Sequence, residues 1–258
     1  MNTLIKNFIR TAARKSGYIV LDLSKDQPTF HFQPGHLKKV FERLQVNCVI
    51  DVGANVGHFA SMLRAFGFNG RIVSVEPTAA SFAILQDKAS SDPAWKTLNL
   101  ALGDNDEEKL LNIFGAGDLN SFLPPTEAMT ANLLNSEITK TESVVVKKLD
   151  SIFGEITAGI PDPRVFLKLD TQGYDLRVMN GATQSLPSIA GIQSEMSVIP
   201  LYEGMTDYLD ALAFYRRLGF EPTGVFPIEH ERRSGHILEF DVVLTRHEAE
   251  TVDPTSAS

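Results

Sequence analysis

The chain has 258 residues, of which 43% are hydrophobic and 22% charged, and these ordinary globular proportions exclude a largely disordered protein. Its formal net charge of −8 disfavours binding to a phosphate backbone, so we expect no nucleic-acid partner. The single cysteine, Cys48, excludes an intrachain disulfide and a cysteine-rich zinc site, and it favours a reducing compartment such as the cytoplasm.

The N-terminal region, residues 1–40, is predicted to be a helical or extended segment that packs on the main body. Residues 1–21 carry basic but no acidic side chains, with apolar residues at helical spacing. Because the basic and apolar residues are interleaved, the pattern favours an amphipathic helix over a signal peptide. Peripheral contact of this helix with an anionic membrane is the alternative. Residues 41–246 are predicted to form the main domain, and the polar tail, residues 247–258, is predicted to be disordered.

Strand and helix patterns alternate along the main domain. The predicted strands are Val46–Val52, Arg71–Glu76, Lys96–Leu102, Val165–Asp170, Gly191–Met196, Phe220–Ile228 and Phe240–Thr245. The predicted helices are His58–Phe66, Ala79–Ala89, Tyr174–Leu186, with Gly181 as an interruption or cap, and Tyr208–Leu218. Apolar strands separated by helices indicate a doubly wound α/β fold around a mostly parallel sheet. A long insertion, about residues 103–163, is interpreted as a lid or a substrate-binding element, with an edge hairpin as the alternative.

The first strand runs into a glycine turn that opens the first helix. In this turn Gly53 is expected to let the backbone approach a ligand, and Gly57 to let the helix pack on the strand. A dinucleotide fingerprint would require glycine at the positions of Asn55 and His58, and no Walker A sequence occurs in the chain. NAD and ATP are therefore poor matches to this turn.

Two carboxylates flank the glycine turn. Asp51 ends the first strand and can attract an ammonium group, while Glu76 ends the second strand, where an acid can accept from both hydroxyls of a ribose. Acidic groups on both sides suit a cationic ligand without phosphates, and S-adenosylmethionine is such a ligand.

The segment Asp51–Gly57 resembles the glycine motif of class I S-adenosylmethionine-dependent methyltransferases, and a wider set of motifs resembles the FkbM family within that class. These motifs are Val75–Pro77, Ala101–Asp104, Leu167–Asp175, Leu201–Gly204 and Asp241–Leu244. The resemblance implies a Rossmann-like sheet of seven strands whose last strand is antiparallel. It also implies methyl transfer to a hydroxyl of a sugar or natural product, in secondary-metabolite or glycan biosynthesis. One departure is Gln172, where many members of the family have glutamate.

The turn, the strand ends and the resemblance together predict the site residues. The predicted cofactor-binding residues are Asp51, Gly53, Ala54, Asn55, Gly57, Phe59, Glu76, Pro77, Ala101, Leu102, Asp104, Ser121 and Asp170. Asp170 and Glu195 end the fourth and fifth strands, and we predict that they bind the acceptor hydroxyl or act as general base. Asn120 and Ser121 are expected in a loop that folds over the cofactor.

No metal site is predicted, although a magnesium ion held by carboxylates at the sheet edge is an alternative. The expected partner is a small-molecule or glycan acceptor, and self-association stays open. Two other functions also stay open. One is a domain that binds S-adenosylmethionine without turnover and serves as a partner in an assembly, and the other is an NAD-linked oxidoreductase.

Overall fold

The computed structural model describes residues 33–231 and 234–246, so the helix predicted within residues 1–21 and the predicted tail lie outside the described residues. The helices are α1 (Gln33–Leu44), α2 (His58–Ala65), α3 (Ala79–Ala89), α4 (Glu127–Asn132), α5 (Leu149–Thr157), α6 (Asp175–Asn180) and α7 (Tyr208–Arg217). The strands are β1 (Cys48–Val52), β2 (Arg71–Val75), β3 (Trp95–Leu98), β4 (Ala101–Leu102), β5 (Glu107–Phe114), β6 (Ile138–Lys147), β7 (Val165–Leu169), β8 (Ile189–Ser197), β9 (Phe220–His230) and β10 (Ile237–Arg246). None of the helices in the described ranges has the length and apolar character needed to cross a membrane.

Seven strands form the main sheet in the order β3-β2-β1-β7-β8-β10-β9. Strands β1, β2, β3, β7 and β8 pair in parallel, and β10 pairs antiparallel with both β8 and β9. The doubly wound α/β fold with an antiparallel last strand is therefore confirmed. The strand order reverses between β1 and β7, and the crevice at such a switch point is where open α/β sheets bind ligands.

The hydrophobic core lies on both faces of the main sheet. On one face α1, α2 and α3 pack with residues such as Leu37, Leu63 and Leu85, all of which are buried. On the other face α5, α6 and α7 contribute buried residues such as Leu149 and Val178. Because both faces are covered, β1 and β7 are buried along their whole length, which explains their continuous apolar runs. Cys48 lies in β1, and burial raises the pKa of its thiol to about 11.

The predicted third strand, Lys96–Leu102, is wrong as a single element. Strand β3 ends at Leu98, and Ala101–Leu102 forms β4 in a separate sheet. The break lies at Asn99, whose side-chain amide donates to the carbonyls of Glu76 and Pro77, both at 3.0 Å, instead of leaving the backbone extended.

The helix predicted at Tyr174–Leu186 is also shorter than expected and ends at Asn180. Its C-cap is Gly181, where an added Cβ would lie 2.0 Å from the carbonyl oxygen of Gly103. This close approach of two backbone segments requires glycine and ends the helix there.

The insertion forms a second, three-stranded sheet with the order β4-β6-β5. It packs on the loop after β8 through a small cluster of buried side chains: Phe114, Met129, Leu201 and Tyr202. Thr126 strengthens this contact, because its backbone N–H donates to the carbonyl of Leu201 at 2.9 Å and its hydroxyl donates to the carbonyl of Pro200 at 2.9 Å. The insertion thus covers the carboxyl edge of β7 and β8 rather than extending the edge of the main sheet.

Candidate active site

The glycine turn after β1 holds three strand ends together. An added Cβ on Gly53 would lie 1.9 Å from the carbonyl oxygen of Asp170, and the φ of Gly53 is +74°. The N–H groups of Gly53 and Ala54 both donate to the carbonyl of Val75 at 3.0 Å. Glycine at position 53 is therefore required first by the contact between the ends of β1 and β7, before any ligand is considered.

Glu76, at the end of β2, binds the glycine turn to the start of α3. Its Oε2 accepts from the N–H of Asn55 at 2.9 Å, and its Oε1 accepts from the N–H and the hydroxyl of Thr78 at 2.9 and 2.6 Å. A carboxylate has about four acceptor sites, so roughly one is left, on Oε2. Burial raises the pKa of Glu76 even though these three donors lower it.

A buried lysine joins the ends of β1 and β7. The Lys168 ammonium lies 2.9 Å from Asp170 Oδ2 and 3.5 Å from Asp51 Oδ1. The Lys168 nitrogen also lies over the ring of Phe59, at 5.7 Å from the ring centroid. Asp51 is fully buried, and its Oδ1 has no hydrogen-bond donor among the described residues, since the contact with Lys168 is an ion pair at longer range.

Gln172 links the two predicted catalytic carboxylates. Its side-chain amide donates to Asp170 Oδ1 at 3.0 Å and to Glu195 Oε2 at 2.7 Å. The Tyr202 hydroxyl contacts Gln172 Oε1 at 2.8 Å and the carbonyl of Leu119, in the insertion, at 2.9 Å. The predicted pair is thus brought together and tied to both the insertion and the loop after β8.

The two carboxyl groups differ in proton affinity. Burial favours the neutral form of Asp170, but the Lys168 charge and the surrounding hydrogen bonds outweigh it and lower the pKa of Asp170. Burial raises the pKa of Glu195 well above its usual value, and the negative charge of Asp170 raises it further. Of the two groups, Asp170 therefore carries the negative charge more readily, and Glu195 holds a proton more readily.

Strand β10 brings two more carboxylates to this edge. Asp241 lies opposite Glu195 in the antiparallel register, and Glu239 lies opposite Ser197. Burial is the main cause that raises the pKa of Asp241 to about 6 and that of Glu239 to about 7. Asp241 accepts a hydrogen bond from the Gln33 side chain at the start of α1.

A cleft of about 340 Å³ lies at this edge of the sheet. Its floor is formed by Asp170, Gln172, Glu195 and Glu239. One wall is the insertion, through residues 116–119 and 132–134, and the other is the end of β9, through Ile228 and Glu229. The cleft therefore opens beside the glycine turn, on the β7–β8 side of the switch point.

Several predicted cofactor residues are occupied by contacts within the protein. Asp104 pairs with Arg177 at 2.9 Å, and the Ser121 hydroxyl donates to the carbonyl of Gln172 at 2.7 Å. Ala101 and Leu102 are buried in β4. The carbonyl of Pro77 accepts a hydrogen bond from the Asn99 side chain. None of these contacts involves the side chain of Lys168 or that of Gln172.

Two further predictions concern residues around the cleft. The Asn120 side chain stabilises a turn, because it accepts from the N–H of Phe114 at 3.0 Å and donates to the carbonyl of Gly117 at 2.9 Å. Among the residues that the structure describes, no group of histidine, cysteine or acidic side chains is arranged to hold a metal ion.

Sequence reasoning missed the roles of Lys168, Glu239 and Asp241. Lys168 interrupts an otherwise apolar strand and shares a strand face with Asp170, two residues later, so a buried ion pair could have been predicted from the period of two. Glu239 and Asp241 alternate in the same way, but their position beside Glu195 depends on the place of β10 within the sheet.

The fold and the carboxylate-lined crevice define a class I methyltransferase architecture, and a family model agrees. The model described as "Methyltransferase FkbM domain" matches residues 51–222. The chain belongs to this family and is an S-adenosylmethionine-dependent methyltransferase. Among curated proteins, none matches the chain in sequence.

Solved structures share the fold at low sequence identity. An rRNA methylase from Streptococcus thermophilus has a TM-score of 0.46 at 8% identity, with 84% of this chain and 98% of that chain covered. The human methyltransferase 10 domain containing protein has a TM-score of 0.43 at 11% identity, with 95% and 97% covered. The methyltransferase domain of bacterial CtHen1 has a TM-score of 0.43 at 8% identity, with 84% and 98% covered.

The residues around the glycine turn fit the cofactor that the family implies. Asp51 is fully buried and paired with Lys168, so it favours the ammonium of an amino-acid head group through its charge rather than by direct contact. Helix α2 begins after Gly57 without a side-chain cap, so its first N–H groups are left for an acceptor such as a carboxylate. The remaining acceptor site on Glu76 Oε2 suits a ribose hydroxyl.

Proposed function

We propose that this protein transfers a methyl group from S-adenosylmethionine to a hydroxyl oxygen of a sugar or natural-product acceptor. The observation that carries the proposal is the Asp170–Gln172–Glu195 arrangement on the floor of a 340 Å³ cleft beside the glycine turn. A hydroxyl must lose a proton as it is methylated. These two carboxylates can bind the acceptor hydroxyl and accept its proton.

The cofactor is proposed to lie on the glycine turn. Asp51, Asn55 and the backbone at Gly53 and Gly57 would hold its amino-acid part, and Glu76 would accept from its ribose. When bound, the cofactor supplies an electrophilic methyl group on a sulfonium. The protein's own contribution is to hold the acceptor oxygen next to that methyl group, and such positioning contributes as much as about 7–11 kcal/mol.

Asp170 and Glu195 are proposed to have different roles. Asp170 is ionised and held by Lys168, so it can accept a hydrogen bond from the acceptor hydroxyl and orient it. Glu195, in its ionised form, is a stronger base than an ordinary carboxylate because its pKa is raised, and it takes the proton. Activity is therefore expected to rise with pH through the pKa of Glu195.

The acidic cleft supports a small acceptor over a nucleic acid. A phosphate backbone would be repelled by Asp118, Glu229 and Glu239 at the cleft and by the net charge of −8. A neutral or cationic molecule would not be repelled.

Calorimetric titration with S-adenosylmethionine and S-adenosylhomocysteine tests the cofactor assignment. We expect binding by the wild type and weaker binding by Glu76→Ala. Glu107→Gln, at an exposed residue that starts β5, is the matched control and should bind like the wild type. Thermal unfolding of each variant shows whether a loss of binding reflects a loss of fold.

Transfer of a labelled methyl group to a panel of hydroxyl compounds tests the reaction. We expect product with at least one polyhydroxylated acceptor, and loss of product in Glu195→Gln with cofactor binding preserved. Tight cofactor binding without transfer to any acceptor would favour a binding domain without turnover. NAD binding in place of S-adenosylmethionine would favour an oxidoreductase.

A further inference from the structure

The cleft carries an unusual balance of charge for its size. Five of its lining residues are carboxylates: Asp118, Asp170, Glu195, Glu229 and Glu239. None of its described lining residues is a lysine, arginine or histidine. Lys168, beneath the floor, is shared by Asp51 and Asp170, so it does not compensate the other carboxylates. Discrimination between acceptors in such a cleft is dominated by their charge.

Glu239 is the second observation that concerns a ligand. It is only 7% exposed, yet it lines the cleft. The Ser197 hydroxyl donates to its Oε1 at 3.1 Å, and no donor among the described residues reaches its Oε2. Oε2 is thus open to a hydrogen-bond donor on a ligand in the cleft.

Two exposed apolar side chains line the same cleft. Leu134, on the insertion, is 73% exposed, and Ile228, on β9, is 48% exposed. Large exposed apolar residues in the lining of a cleft suit an apolar part of a ligand. The cleft therefore has an acidic floor and an apolar rim.

We propose that the acceptor carries a protonated amine close to its hydroxyl, as in an amino sugar, and an apolar group beyond it. Glu239 receives the ammonium through Oε2, Asp170 contributes negative charge in the same cleft, and Leu134 and Ile228 contact the apolar group. This inference rests on the proposed function, since it assigns the chemical class of the acceptor in the same cleft.

The proton affinities of the floor agree with this assignment. Burial, together with the negative charges of neighbouring carboxylates, raises the pKa of Glu239 to about 7, although the Ser197 hydroxyl lowers it. An ammonium at Glu239 would favour its ionised form and that of Glu195. A charged acceptor would thereby help to ionise Glu195, the group proposed as base, whereas a neutral acceptor would not.

The alternative is that these carboxylates bind the ammonium of the cofactor's amino-acid part, which S-adenosylmethionine and S-adenosylhomocysteine share. That alternative predicts that removing the charge of Glu239 weakens cofactor binding. Our proposal predicts that it weakens amine binding alone. The two are separated by measuring both affinities in the same variants.

The test uses two probes that differ by one amine, octyl 2-amino-2-deoxyglucoside and octyl glucoside. Both are titrated calorimetrically into protein saturated with S-adenosylhomocysteine, at a pH where the amine is protonated. We expect the amine to bind about tenfold more tightly or better, as for one charge-assisted hydrogen bond. The Glu239→Gln variant, which keeps the shape of the side chain, should lose most of that preference and keep the wild-type affinity for S-adenosylhomocysteine.

The matched control is Glu155→Gln, which removes the same charge from the exposed end of α5. The side chain of Arg71, the first residue of β2, donates to the carbonyl of Ile156 at 2.8 Å. This end of α5 therefore lies at the amino ends of the parallel strands, whereas the cleft lies at their carboxyl ends. This control should keep the full preference for the amine.

Equal affinity of the wild type for the two probes would overturn the proposal, and a preference that survives in Glu239→Gln would overturn the role of Glu239. Parallel losses of amine and S-adenosylhomocysteine affinity would assign the carboxylates to the cofactor. If S-adenosylhomocysteine fails to bind while the amine preference is present, the proposed function fails and the amine site stands.

Discussion

Lys168 Nζ lies 2.9 Å from Asp170 Oδ2, and both residues lie on the same face at the end of β7. Since the same nitrogen is 3.5 Å from Asp51 Oδ1, one ammonium connects the carboxylate beside the glycine turn with the carboxylate on the cleft floor. These two acids raise the pKa of Lys168 although burial opposes its charge, so the lysine is always charged.

Replacing Lys168 by methionine leaves the buried Asp51 and the half-buried Asp170 without their cation. At pH 8 we expect the free energy of unfolding to fall by about 3–5 kcal/mol, as for other broken buried ion pairs. Urea unfolding measures this loss. Lys96→Met, at an exposed residue of β3, is the control and should change the free energy of unfolding by less than about 0.5 kcal/mol.

The stability deficit of the same variant should depend on pH. In the wild type the pKa of Asp170 is lowered on folding, so its stabilising effect is present above its unfolded pKa, about 3.9, and is lost as pH falls through the lower folded pKa. In Lys168→Met the lysine charge is gone, so the pKa of both acids rises relative to the wild type and the folded variant binds more protons than the folded wild type. The deficit relative to the wild type should therefore shrink as pH falls from 8 to 5, and a constant deficit over that range would contradict the ion-pair explanation.

Gly53 and Gly67 form a matched pair for a backbone test. Both have positive φ, +74° and +87°, but a Cβ at Gly53 would meet the Asp170 carbonyl whereas one at Gly67 would meet nothing within 4 Å. Gly67→Ala should cost only the left-handed backbone strain, about 1–2 kcal/mol. Gly53→Ala adds overpacking of about 1–3 kcal/mol, so thermal unfolding should show a clearly larger loss. Equal losses would show that β1 and β7 can separate freely at this point.

Gln172→Glu replaces the amide between two carboxylates with a third acid. The donor to Asp170 and Glu195 is lost, and the added charge raises the pKa of Glu195 further. Since Glu195 is proposed to act in its ionised form, the acidic limb of the kcat/KM profile should move to higher pH, by about one unit. Gln86→Glu, on the exposed side of α3, should leave the profile unchanged. An unmoved limb in Gln172→Glu would argue against Glu195 as base.

Asp241→Asn should have the opposite effect on the same profile. Asp241 lies opposite Glu195, and its negative charge is one of the causes that raise the pKa of Glu195. Removing that charge should move the acidic limb to lower pH, by about one unit. The control is Asp210→Asn, at an exposed residue of α7. If the limb moves to higher pH instead, a group other than Glu195 controls it.

The sequence predicted well those parts of the site that depend on one strand and its following turn. Glu76 and Asp170 directly follow buried strands, Asp51 and Glu195 lie within two residues of a strand end, and parallel strands bring such ends to one edge. The break at Asn99 was not predictable from apolar periodicity, since it coincides with a side-chain hydrogen bond to the backbone at another strand end. Positions set by long-range register, such as Asp241 opposite Glu195, require knowledge of which strands are neighbours.

The hydrogen bonds of Glu76 show the same limit of prediction from sequence. Its place at the end of β2 was predicted, but its bonds to Asn55 and Thr78 were not. A residue interpreted from sequence as a ligand contact is thus also a structural link between the glycine turn and α3.

The place of β10 between β8 and β9 has a consequence for the order of folding. β9 does not pair with β8, so it joins the sheet only through β10, either together with β10 as a hairpin or after β10 has paired with β8. Until β10 docks, β8 has an open edge, and Glu195 lies there without Glu239 and Asp241. The glycine turn and Glu76, by contrast, need only β1, β2 and β7. A partly folded chain without the docked β10 would therefore have an assembled cofactor side and an incomplete acceptor side.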